Sequence, residues 1–254
     1  MRSLHLLMEQ ANSILRKGNF PQAAARFLHS LSLSQNTSLT TLCPSAICGA
    51  ILWEFWIIVY FCKTMMNRDD IMILKAALLY IIKKSEANRR DVYGIVKTAF
   101  YAQQIHLAKS GSPLFNDEIC ALPFGPVPSS MYDILKMARG DEREMSFHEK
   151  DGFREVCDSI GWKDERFFAK EDPDMDFLSE SDIQSLEEAI ARVSKMSFDD
   201  IYSDTHGIEW ERAFNSKKKG KKVMDIVKIA EEGGADESTL AYLKEYIELE
   251  KALG

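Results

Sequence analysis

Five histidines, five cysteines and several paired acids are the side chains of this 254-residue chain that could do chemistry. A metal site would need them grouped at ligand spacing, but the histidines are scattered and His106 has no second histidine four residues on. His148 opens no H-E-x-x-H, and the cysteines Cys43, Cys48, Cys62, Cys120 and Cys157 contain no C-x-x-C. An odd count without a framework reads as reduced thiols in a cytoplasmic protein. Glycine loops of the Walker or dinucleotide kind and the G-x-S-x-G nucleophile turn are missing from the sequence. The pairs Glu187-Glu188 and Asp199-Asp200 fit a solvated helix face or a helix start. His206 beside Asp204 or Glu209 is the one acid–base pairing left, and it lacks a nucleophile or metal. These residues predict neither a catalytic centre nor a cofactor or metal.

Two local groups look built for binding or shape. In CALPFGPVPSSMYDILKM, residues 120–137, Pro123, Gly125, Pro126 and Pro128 crowd into six positions of a chain with seven prolines. Each proline fixes its own φ and extends its predecessor, while Gly125 permits a turn closed to other residues. Such a segment is ordered in advance, and as a binding loop it would display Phe124 and Val127 at small entropic cost. A stiff connector packed on its own core fits the same residues. The second group is SDTHGIEWERAF, where His206 and Trp210 stand four residues apart and share a face if Gly207 begins a helix. That spacing suits a structural His–indole pair, or an aromatic anchor at Trp210.

The elements that must position these groups are mainly helical. Ile71, Leu74, Leu78 and Ile81 form a stripe at helical spacing after Asn67, which can cap the helix. A second helix runs from Val92 to about Lys109, SGSPLFND is a turn, and Ser129 or Ser130 caps a helix through Lys136. EMSFHE and ERFFAKED are predicted to pair as a small β-ribbon. A capping box from Ser181 to Gln184 opens the next helix, Ser197 caps FDDIY, and two helices close the chain. The expected fold is mainly α: a compact multi-helix domain with a small β-hairpin over 66–254, preceded by a helical extension over 1–65.

Charge divides the chain at the same place. Residues 1–64 carry five Lys/Arg and two acids, and the remainder carries 27 basic against 37 acidic residues, for a total of −7. An acidic body repels phosphate, so no specific nucleic acid is expected. KKKGKK at 217–222 reads as a solvated linker, with a nucleic-acid or acidic-partner patch as the alternative. Ala46 to Cys62 is apolar except for Glu54, at the lower edge of a membrane span. Three readings of the N-terminal part stay open: a membrane anchor through 46–62, a buried or partner-binding helical extension, and a start placed too early, with Met65 or Met66 the true one.

The segment VYGIVKTAFYAQQIHLAKSGSPLFNDEICALPFGPVPSSMYDILK resembles the Panacea domain, the SocA-like antitoxin or phage-associated-protein family. Lys97, Phe100, Tyr101, Ala102 and Gln103 match its helix, and Gly111, Pro113, Leu114 and Asp117 match its turn. Ala121, Gly125, Pro126, Val127 and Tyr132 match its loop, and Thr205, His206 and Trp210 match its Ser/Thr-His-x-x-x-Trp. Cys120 and Leu122 stand where Glu and Trp are common, Phe124 replaces Tyr, and Pro128 comes one place early. The resemblance implies a mostly helical, non-catalytic antitoxin of a bacterial or prophage toxin–antitoxin pair. Its partner would be a protein toxin encoded nearby, with membrane contact only if 46–62 is a real span. A proteolytic adaptor delivering its partner to a AAA+ protease is the alternative. The residues implied in partner binding or signature are Lys97, Tyr101, Phe124, Gly125, Pro126, Val127, Pro128, Tyr132, Thr205, His206 and Trp210.

Overall fold

Helix α2, Val92–Ser110, is buried on nearly every side, from Gly94 through Gln103 and again at His106 and Leu107. A helix enclosed in this way is the post around which a domain packs. The computed structural model describes residues 66–141, 147–217 and 219–253, so the N-terminal extension and its apolar stretch 46–62 lie outside the described residues. Among the described residues no helix is long and apolar enough to cross a membrane.

The described part is mostly helical, with two small antiparallel strand pairs. Helix α1, Arg68–Lys84, starts at Asn67, whose side chain accepts from the Asp70 amide, and buries Leu74, Leu78 and Ile81 of the expected stripe. Strands β1, Ile119–Leu122, and β2, Gly125–Pro128, follow α2 and lead into α3, Ser129–Ala138. Helix α4, Phe147–Asp158, precedes a second hairpin of β3, Ile160–Lys163, and β4, Arg166–Ala169. Then come α5, Glu180–Lys195, α6, Phe198–Thr205, α7, Ile208–Phe214, α8, Ile226–Glu232, and α9, Glu237–Leu253. Helices α1, α5, α8, α9 and strand β2 all pack on α2.

Four local expectations are corrected. The second ribbon uses RFFA, but its partner is IGWK, while Phe147 and His148 are helical. The turn between them is Asp164-Glu165, both at positive φ, as a two-residue turn of type I′ requires. The capping box of α5 is Ser179 with Asp182 instead of Ser181 with Gln184: Ser179 Oγ accepts from the Asp182 amide, and Asp182 accepts back from the Ser179 amide. Helix α3 is not capped by Ser129 or Ser130. Asp117 reaches across from the preceding turn and accepts from the amides of Ser130 and Met131 at 2.9 and 3.1 Å. The proline-rich segment, read as a loop, forms strand β2 and half of a hairpin.

Candidate functional site

The hairpin is a strand pair that tolerates its own prolines. Leu122 pairs with Gly125, Ala121 with Pro126, Cys120 with Val127, and Ile119 with Pro128. Ser129 N donates to Glu118 O at 2.8 Å, continuing the ladder past both prolines. In an antiparallel pair only alternate residues turn their amides to the partner strand. By that parity Pro126 and Pro128 stand where the missing N–H would face outward. The opposite edge of β1 is covered by a third segment. Ala121 N donates to Lys222 O, and Met224 N donates to Ile119 O, each at 2.8 Å.

The outward carbonyl of Pro126 meets an unusual donor. Lys97, fully buried on α2, sends its Nζ to Pro126 O at 2.9 Å and lies 5.5 Å from the centre of the Tyr93 ring. Among the described residues no carboxylate stands within ion-pair distance of it. Burial therefore lowers the Lys97 amine to about 7, far below its ordinary range. Gly125 sits against the same amine at φ 94°. A Cβ placed there would fall 2.5 Å from Lys97 Nζ and 2.8 Å from Thr205 Oγ1, so glycine is required by both conformation and space.

Helices α6 and α7 close the other side. Thr205 Oγ1 donates to Ile201 O, which turns the hydroxyl inward at the end of α6. Trp210 Nε1 donates to Leu122 O at 3.0 Å, and His206 Nε2 faces Pro123 O at 3.4 Å. The other ring nitrogen of His206 faces Tyr202 O. Both nitrogens thus address backbone carbonyls, and the ring is held between Tyr202 and Trp210 at 3.9 Å from each. Tyr101 Oη donates to Asp204 at 2.5 Å. Arg192 binds the same Asp204 oxygen at 2.8 Å and lies over the Tyr101 ring. Burial and the neighbouring carboxylate push the Tyr101 phenol well above its ordinary range.

Most of the expected residues therefore converge. Lys97, Gly125, Pro126, Thr205, His206 and Trp210 form one cluster around the hairpin, and Tyr101 braces α6 beside it through Asp204. Tyr132 belongs elsewhere, on α3 with Lys136 over its ring at 4.7 Å. Pro128 is buried opposite Ile119 and leads directly into α3. Val127 is not displayed, contrary to expectation: it is 6% exposed within the core, because the strand turns it inward. Phe124, at the tip, is 65% exposed. Sequence reasoning missed Arg192 and Tyr93, whose roles depend on packing between helices. Asp204 was visible as a possible base, yet Tyr101 and Arg192 occupy its carboxylate.

The arrangement spends its polar groups on backbone carbonyls and on one another. Among the described residues no group of three His, Cys, Asp or Glu side chains could hold a metal ion.

Residues 95–211 match the family model of the antitoxin SocA-like Panacea domain. The match runs from α2 to α7, just under half of the chain, and holds all eleven candidate residues. The matched segment is thus the part of the fold in which the hairpin and its braces are assembled. No curated protein and no solved structure matches the chain.

Proposed function

We propose that this protein is an antitoxin that neutralises a toxin encoded beside it by direct protein–protein binding. The observation that carries the reading is the match of residues 95–211 to an antitoxin family, over the same elements that build the braced hairpin. The geometry supports binding over catalysis. His206 faces two carbonyl oxygens, Asp204 is held by Tyr101 and Arg192, and Lys97 is shut inside the fold. What the cluster produces is a pre-shaped tip carrying Phe124, and pre-ordering lowers the entropic cost of association. The domain is taken to span residues 66–254, beyond both ends of the family match.

Co-expression tests this. The product of the adjacent reading frame is expected to arrest growth alone and to be harmless when this chain is present. A His206→Gln variant is expected to lose neutralisation only in proportion to its loss of affinity, whereas loss of a catalytic histidine would abolish neutralisation with affinity intact. A neighbour that is harmless alone, or arrest that persists beside this chain, overturns the proposal.

A further inference from the structure

We infer that the toxin's contact surface is the aromatic stripe running from Phe198 through Tyr202 and His206 to Phe124, and that its occupant is a basic segment of the toxin. The inference rests on the antitoxin reading above. Phe198, Tyr202 and His206 recur every four residues and so lie along one face of α6 and its end. Ring centres are 6.2 Å apart from Phe198 to Tyr202 and 3.9 Å from Tyr202 to His206. The His206 ring then reaches Pro123 O, one residue from Phe124 at the hairpin tip. Phe198, Tyr202 and Phe124 are 47%, 39% and 65% exposed. Phe198, Tyr202 and His206 are in ring contact in series, and Phe124 stands exposed one residue from the carbonyl that His206 meets; exposed aromatic side chains so grouped, on elements held from behind, suit a contact site.

Charge selects the occupant. Helices α6 and α7 carry Asp199, Asp200, Asp204, Glu209 and Glu211 against a single cation, Arg212. Arg212 is committed to Glu209, Arg192 from α5 is committed to Asp204, and Glu232 from α8 adds another acid at the Glu209 amide, so the acids still outnumber the cations. Asp199 and Glu211 are exposed. Aromatic faces among unbalanced carboxylates suit arginine or lysine side chains, which gain from the rings and from the field together. Nucleic acid would be repelled. A second copy of this chain would bring the same negative charge to a self-matching contact, which is unfavourable.

The test measures the affinity of the purified full chain for the co-expressed product of the adjacent reading frame, at low and high salt. Phe124→Ala is expected to weaken binding at least tenfold while the melting temperature stays put, since Phe124 is mostly in solvent. Asp199→Lys, an independent variant, is expected to weaken binding at low salt and to flatten its salt dependence. If the unaltered chain binds but both variants bind within twofold of it, the surface assignment fails and the antitoxin reading stands. If the unaltered chain binds nothing, the antitoxin reading fails and the surface assignment goes with it. Loss of self-association in Phe124→Ala, with toxin affinity intact, assigns the stripe to a second copy and overturns the inference.

Discussion

Lys97 Nζ donates to Pro126 O across 2.9 Å from a fully buried position. The bond joins the central helix to the outer edge of a strand that has lost its own donors to proline. A carbonyl on such an edge would otherwise be buried without a partner, which costs about 1–3 kcal/mol. The lysine supplies the missing partner, and in doing so it loses hydration.

That burial has a pH signature. The Lys97 amine titrates at about 7 when folded and near 10.5 when unfolded. Below pH 7 both states hold the proton, and the penalty of burying the charge is fully present. Between pH 7 and 10.5 the unfolded state holds more protons, so stability rises with pH. From pH 7 to 9 the gain from this group is about 2 kcal/mol. Of the other shifted groups, Asp117, raised to about 6, acts below that window, and Tyr80 and Tyr93, raised to about 12, act above it, while the Cys120 thiol, raised by burial, ionises first in the unfolded chain and offsets part of the rise as the pH nears 9. Thermal melts from pH 7 to 9 check this, and a Lys97→Met protein is expected to lose the rise.

Gly125→Ala is expected to be severe. The residue sits at positive φ, and its new methyl would meet Lys97 Nζ and Thr205 Oγ1 below 3 Å. Strain and overpacking together are expected to cost about 3 kcal/mol. Denaturant unfolding of the purified variant measures it; a loss under 1 kcal/mol contradicts the geometry given for the cluster.

Val127→Asp is expected to unfold the hairpin before it touches any partner. Val127 is 6% exposed, opposite Cys120, so the carboxylate would enter the core. A sharp fall in melting temperature, with binding loss in proportion, is the expected result. Pro126→Ala acts on the unfolded chain's freedom and is expected to cost about 1 kcal/mol or less.

Asp117→Ala removes the cap of α3. Both carboxylate oxygens serve the amides of Ser130 and Met131. The expected loss is about 1–2 kcal/mol, as for other helix caps. Asp117→Asn keeps one acceptor and is expected to lose about half of that, measurable by the same unfolding titration.

The sequence made some of this plain and hid the rest for physical reasons. The stripe Ile71–Ile81, the Asn67 cap and the His206–Trp210 spacing are local, and local periodicity reports them directly. The hairpin was hidden because proline removes a ladder donor. Its tolerance at 126 and 128 depends on register with β1, which exists only once the pair has formed. Asp117 caps α3 from 13 positions away, so no N-cap pattern at the helix start reveals it. The α5 box was misplaced by two residues because Ser179-x-x-Asp182 and Ser181-x-x-Gln184 overlap, and the charged Asp182 closes the one observed. Lys97 and Tyr101 stood out through the family resemblance; their contacts at Pro126 and Asp204 required the fold.

The most direct measurement of the central claim is calorimetric titration of the purified full chain with the purified product of the adjacent reading frame. The expected result is a saturable complex of defined stoichiometry, tight enough to account for neutralisation. Absence of heat and of a co-eluting complex, while growth is still rescued in cells, would contradict neutralisation by direct binding.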